Sequence, residues 1–223
     1  MKIALIVLGS FVLLGIAAMA IFVFVIQNVE QPAYRVVEQD GPFEVRDYPE
    51  LVVAEVRRQG SRREALSAGF SPLVRYIFAK ERAGERISMT APVIQQRPEP
   101  IAMTGPVMLA PEGAGDWVVR FIMPARYRLE QLPAPANADV HLQAFAPRRV
   151  AAVRFSGATT DASIAGKEAE LRTWLEARQL APAAAPVYAY YNDPFTPGFL
   201  RRNEVLIDLA DGSTAGLVRG AGQ

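Results

Sequence analysis

The feature that most restricts this chain is an order of elements that occurs twice. Leu51-Val52-Val53-Ala54-Glu55-Val56 is rich in β-branched residues and reads as a strand. Ser61 and Glu64 then form the Ser-x-x-Glu pattern that opens a helix. Leu66, Phe70, Leu73, Val74, Ile77 and Phe78 follow at helical spacing on one face. Pro72 falls within that face and predicts a kink, or a fresh start capped by Ser71. Strand-like runs at 87–93 and 117–123 complete the unit. The second unit begins with a strand at 150–155. Asp161 then caps a helix with Ile164, Leu171, Trp174 and Leu175 on one face and a Glu168–Arg172 pair on its wet side. Strands at 187–191 and 204–209 close it, and further strands are expected at 34–38, 43–47 and 140–145. Two strand-helix-strand-strand units that bury their sheets and helices together predict an α+β domain with approximate twofold symmetry. The groove between the halves is the natural place for a ligand.

A second feature stands outside this repeat. Residues 3–26 carry no charge, and Ser10 is their only polar side chain. As a helix the run would span roughly 36 Å, against a hydrocarbon core of roughly 30 Å. Ala18-Met19-Ala20 resembles a cleavage site, but Ile21-Phe22-Val23-Phe24-Val25-Ile26 continues the apolar run beyond it, so a retained signal anchor is expected. Lys2 before the run places the N-terminus in the cytoplasm and the domain outside it. The expected organisation is a transmembrane signal anchor at 1–27, a linker at 28–33, the domain at 34–210 and a flexible tail at 211–223. The expected location is a bacterial inner membrane, with the domain periplasmic.

Composition removes whole classes of function. With 24 Lys+Arg against 23 Asp+Glu, the net charge of +1 offers no concentrated positive field for nucleic acid. Zero cysteines exclude a thiol nucleophile, an iron–sulfur cluster and thiolate zinc, and one histidine excludes a two-histidine metal site. No Gly-Lys-Ser phosphate loop occurs, and no Ser-His-Asp set can be built around His141. A non-enzyme is expected, and the oligomeric state is left open.

One short motif is repeated. Ile87-Ser88-Met89-Thr90-Ala91-Pro92-Val93 recurs as Ile101-Ala102-Met103-Thr104-Gly105-Pro106-Val107, with turn-forming Gln96-Arg97-Pro98-Glu99-Pro100 between them. Two readings remain open: a hairpin with prolines at edge positions or bulges, or a pair of methionines, Met89 and Met103, offering soft contacts to a flat apolar ligand.

Together with that motif, three further segments carry a resemblance. They are Phe121-Ile122-Met123-Pro124-Ala125-Arg126-Tyr127, Arg148-Arg149-Val150-Ala151-Ala152-Val153-Arg154-Phe155-Ser156-Gly157, and Tyr191-Asn192-Asp193-Pro194-Phe195-Thr196-Pro197 followed by Arg201-Arg202-Asn203-Glu204-Val205. In this order they resemble the SOUL haem-binding protein family over about residues 33–210. The resemblance implies a distorted antiparallel β-barrel of two βαββ repeats with two flanking helices, similar also to the effector-binding domains of bacterial regulators. It implies a haem or porphyrin ligand in a shallow apolar groove beside the first helix, with basic side chains at the propionates. Carried onto this chain, the groove comprises Phe70, Leu73, Val74 and Ile77. Arg75 stands at its rim, Met89 and Met103 are further contacts, and Arg201 or Arg202 is a second basic contact. Those two arginines precede a strand and point to opposite faces, so at most one reaches the ligand and the other pairs with Glu204 or lies in water.

His141 alternates with Val140, Leu142 and Ala144, which puts it on the wetter face of its strand. Haem is therefore expected without an axial histidine, and Tyr76, Met89 and Met103 are the other side chains able to ligate iron. The expected function is membrane-anchored tetrapyrrole binding. The alternatives are a module for another small amphipathic ligand and a non-catalytic envelope interaction protein.

Overall fold

The computed structural model describes residues 13–14, 29–80, 82, 84–97, 115–192 and 196–210. The chain divides into Met1–Glu30 and Gln31–Gln223. In the first unit, Leu13 and Leu14 are helical and exposed. The rest of the expected anchor at 1–27 and the tail at 211–223 lie outside the described residues, apart from these two leucines. Among the described residues no helix is long and apolar enough to cross a membrane.

In the second unit the elements run β1 (Arg35–Asp40), β2 (Phe43–Tyr48), β3 (Leu51–Gly60), α1 (Arg62–Ile77), β4 (Val93–Gln96), β5 (Gly115–Ile122), β6 (His141–Phe145), β7 (Arg148–Phe155), α2 (Asp161–Ala177), β8 (Val187–Tyr190) and β9 (Asn203–Asp208). The strands form one antiparallel sheet in the order β1-β2-β7-β9-β8-β4-β5-β3-β6. The expected repeat is present as β3-α1-β4-β5 and β7-α2-β8-β9. In each unit the last strand lies between the other two. The halves meet where β4 pairs with β8, with Ile94 opposite Ala189 and Gln95 opposite Tyr188. The expected barrel is not closed among the described residues, since β1 and β6 end the sheet without pairing with each other.

The helix α1 lies on β3 and β5. Ser61 and Glu64 make the expected reciprocal cap. Ala65, Gly69, Leu73 and Ile77 face the sheet and are buried. The helix runs unbroken through Pro72, with no fresh start at Ser71. Proline cannot supply the amide hydrogen that the Ala68 carbonyl would accept, and Arg58 Nε donates to that carbonyl instead, at 3.4 Å.

The helix α2 lies on β7 and β9 and buries Ile164, Leu171, Trp174 and Leu175. Its cap is Thr160, whose Oγ1 accepts from the Ser163 amide at 3.1 Å, rather than the expected Asp161. Asp161 is drawn away by Arg62, whose Nε donates to it at 2.8 Å.

The strand expected at 87–93 is instead the shorter β4. Its N-terminal half is pinned elsewhere: the Ile87 amide bonds the Ile77 carbonyl and Thr90 Oγ1 bonds the Ile122 carbonyl. Pro92 has no amide to contribute to a ladder. β4 itself pairs with β5 and β8, and the second arm of the expected hairpin falls at 101–107. Residues 101–107, including Met103, lie outside the described residues.

Candidate functional site

The repeat leaves a cleft between its halves on the helix side of the sheet, with a volume of about 520 Å³. This is the size of a small-molecule site, for which roughly 300–1,000 Å³ is usual. One wall comes from Gly60, Ser61 and Arg62 at the start of α1, and the other from Asp161, Ala165 and Glu168 of α2. Arg97, Trp117 and Tyr188 rise from the sheet between them. Gly60 adopts φ +116°, a conformation open to glycine, as the chain leaves β3 for α1.

The starts of the two helices are fixed by a closed set of bonds. Arg62 is buried and donates from Nε to Asp161, from Nη1 to the Tyr190 hydroxyl at 2.7 Å, and from Nη2 to the Thr159 carbonyl at 2.5 Å. The Tyr190 hydroxyl donates to Gln95 Oε1 at 3.3 Å, and Gln95 Nε2 donates to the Arg62 carbonyl at 2.8 Å. The aromatic pair is equally restrained. Trp117 Nε1 donates to the Gly60 carbonyl at 3.1 Å, and the Tyr188 hydroxyl donates to Glu168 at 3.0 Å. Burial, reinforced by Glu168, pushes the Tyr188 hydroxyl above its ordinary pKa, so it stays a neutral donor.

The first helix presents a different surface. Leu73 and Ile77 are closed inside the core with Val119 and Phe121. Val74 and Met89 are half-buried against the same cluster. Phe70 is the open member, 39% exposed, with its ring edge-on to Phe121 at 5.2 Å. Arg75 is exposed, roughly 140° around the helix from Phe70. A cavity near Pro72 and Tyr76 of α1 holds about 10 Å³. The Tyr76 hydroxyl is occupied by the Pro133 carbonyl at 2.9 Å. His141 is exposed on edge strand β6, opposite Glu55.

The two C-terminal arginines part as alternation predicts. Arg201 Nε donates to the Thr196 carbonyl at 2.7 Å, whereas Arg202 reaches Glu204 with Nε and Nη2 at 3.0 and 2.8 Å. Arg202 belongs to a buried network on the sheet face opposite the helices. Arg46 on β2 reaches across β7 to hold Glu204 with two bonds, at 2.7 and 3.0 Å. The Tyr191 hydroxyl donates to the same carboxylate at 2.8 Å. Burial would raise the pKa of Glu204, but Arg46 and then Arg202 outweigh it and hold the carboxyl below the usual range. Arg202 Nη1 and Nη2 also donate to Gln31 Oε1 and the Tyr34 hydroxyl, which ties Gln31 of the expected linker to the domain.

No local pattern in the sequence joins Arg97, Trp117 and Tyr188 into one site, or Arg46 to Glu204. The alternation of Tyr188 and Tyr190 along β8 was a usable signal for the cleft. Arg46 and Glu204 are 158 positions apart, and nothing local couples them.

The geometry defines a class first: two fused βαββ units, with a ligand-sized cleft at their junction. The chain belongs to the SOUL heme-binding protein family, which it matches over residues 29–208. A search of curated proteins finds no match. Among solved structures it is similar to the EcmrR C-terminal domain, with TM-score 0.53 and 12% identity over 79% of this chain and 98% of that one. It is also similar to a hydrolase from Listeria innocua, with TM-score 0.51 and 13% identity over 78% and 94% of the two chains. At such identities the likeness shows the fold alone.

Proposed function

We propose that this protein is a membrane-anchored tetrapyrrole-binding module, with haem or a related porphyrin held on the exposed face of α1. Membership of a heme-binding family is the observation that carries this reading. The surface supports it through an exposed aromatic, Phe70, a half-buried Val74 and an exposed Arg75 on one helix. Phe70 and Val74 cover one side of the macrocycle, and Arg75 meets a propionate at the rim. The interaction is one of binding rather than catalysis. The uncharged run at 3–26 serves as the retained anchor, and the domain faces the periplasm.

Titration of the full-length protein with haem and with metal-free porphyrin tests the ligand class: a saturable Soret change is expected with haem. Arg75→Glu should weaken haem by about tenfold or more, since a charge-assisted hydrogen bond contributes about 1.5–3 kcal/mol. Haem dimethyl ester, which lacks the propionate charge, should bind both proteins alike. Equal haem affinity in wild type and Arg75→Glu would remove Arg75 from the site.

A further inference from the structure

The cleft between the halves has features that the α1 face does not use. It is enclosed by both repeats, is of ligand size, and pairs two aromatic rings, Trp117 and Tyr188, with centroids 6.2 Å apart. Its charges are unequally engaged. Asp161 accepts from Arg62. Glu168 accepts from Arg172 at 2.9 Å and from the Tyr188 hydroxyl at 3.0 Å. Arg62 uses three nitrogens on internal partners. Arg97 differs. It is exposed, and its guanidinium lies over the Trp117 ring, 5.1 Å from the centroid. Among the described residues no carboxylate pairs with it.

From this we infer that the cleft is a second ligand site, separate from the tetrapyrrole surface, and that it takes a flat aromatic anion. The half-buried Tyr188 ring supplies apolar contact, the buried Trp117 supports the guanidinium lying over it, and Arg97 supplies the anion partner. A guanidinium on an aromatic face keeps its edge donors available to a carboxylate, sulfonate or phosphate. A cationic ligand is disfavoured, because both carboxylates at the cleft already have partners and Arg97 would repel it. The inference does not depend on haem binding at α1.

Naphthalene-2-sulfonate is a suitable probe, and the two tryptophans make the readout local. In ¹H–¹⁵N spectra of the full-length protein, the Trp117 indole resonance should move saturably with the probe. The Trp174 resonance, from the core beneath α2, should not. Arg97→Glu should weaken the probe by about tenfold or more, and Arg97→Lys by less, as loss of one charge-assisted contact predicts. Uncharged 2-methylnaphthalene should bind weakly and equally to wild type and Arg97→Glu. Ala165→Trp, which fills the cleft from an exposed position on α2, should abolish probe binding while leaving spectral dispersion native.

An unmoved Trp117 resonance, or unchanged probe affinity in Arg97→Glu, overturns the proposal. One-for-one displacement of the probe by haem, with Arg97→Glu weakening both, overturns the claim of a separate site. Failure of haem to bind while the probe still shifts Trp117 counts against the tetrapyrrole reading and leaves the cleft site standing.

Discussion

The two repeats share an order of elements but are held together differently. In the first, α1 comes so close to the sheet that Gly69 has no room for a side chain: a Cβ there would lie 2.8 Å from the Cβ and Cγ2 of Val119. In the second, Gly166 of α2 faces open space, and polar contacts add to the apolar core beneath the helix. Trp174 Nε1 and Arg178 Nη2 bond Asp40, at 2.9 and 2.7 Å, and Arg178 Nε bonds Glu38 at 3.0 Å. On the far face, Arg46 and Arg202 enclose Glu204. Both halves have an apolar core; the first adds a close approach of its helix, and the second adds a fully buried ion pair. The close approach belongs to the helix assigned to the ligand.

The strongest test of that contrast is Glu204→Ala. Removing one partner of a buried pair costs about 3–5 kcal/mol, and the lower end is expected here because Glu44, 2.7 Å from Arg46 Nε, still compensates part of the charge. Arg46 and Glu204 have side-chain exposures of 1% and 0%, so little solvent can replace the lost carboxylate. Urea unfolding should show the midpoint fall. A double variant, Arg46→Met with Glu204→Leu, should recover part of the loss, because it removes both deeply buried ions but leaves Glu44 and Arg202 without those partners. If Glu204→Ala costs less than the Gly69 substitution below, the second half does not depend on its charges.

The same pairs give a pH dependence whose sign follows from the carboxylates. Asp47 accepts hydrogen bonds from Arg149 and Arg35, which outweigh the opposing effect of burial and lower its pKa to about 2. Glu204 is also held below its usual range. Unfolded carboxylates titrate near about 4. A group depressed in the folded state stabilises fully above its unfolded pKa and loses that contribution as pH falls through the folded value. Stability from these groups should therefore be constant above about pH 5 and decline from about pH 4 towards pH 2. Thermal unfolding across that range checks it, and Asp47→Asn should flatten the decline.

Gly69→Ala is the next test and addresses the apolar half. Its Cβ would also lie 3.2 Å from Val56 Cγ2, and both valines are fully buried. Overpacking of this kind costs about 1–3 kcal/mol, which exceeds the gain of roughly 1 kcal/mol from a better helix former. Unfolding should therefore show net destabilisation. Haem affinity should fall as well if the position of α1 sets the ligand surface.

Much of this contrast was legible in the chain, and the divide follows distance along it. The helix faces came from local periodicity, as did the Ser61–Glu64 cap and the outward position of His141, because each depends on residues a few positions apart. The cap of α2 was placed one residue late. Thr160 and Asp161 are both good caps, and only Arg62, 99 positions away, takes Asp161 for another role. The strand expected at 87–93 was placed too early because its apolar residues are held by Ile77 and Ile122 rather than by a ladder. The apolar stripe of α1 follows from periodicity, yet periodicity cannot separate the part under the sheet, Leu73 and Ile77, from the part left open, Phe70. The Arg97–Trp117–Tyr188 grouping needed the register of β4, β5 and β8, which no local pattern encodes.

The smallest effect comes from the other glycine and is expected to have the opposite sign. Gly166 lies within the first turns of α2, is exposed, and a Cβ built there meets nothing within 4 Å. It has no positive φ that would require glycine. Alanine should therefore restrict the unfolded chain and favour the helix without a packing cost. The expected gain is about 0.5–1 kcal/mol. Measured by urea unfolding beside Gly69→Ala, the pair gives a direct comparison: one substitution, at one residue type, in the two corresponding helices. Opposite signs would show that α1 alone is seated at backbone contact with its sheet. Destabilisation by Gly166→Ala would mean that α2 also has a close neighbour, and the contrast between the halves would then rest on charge alone.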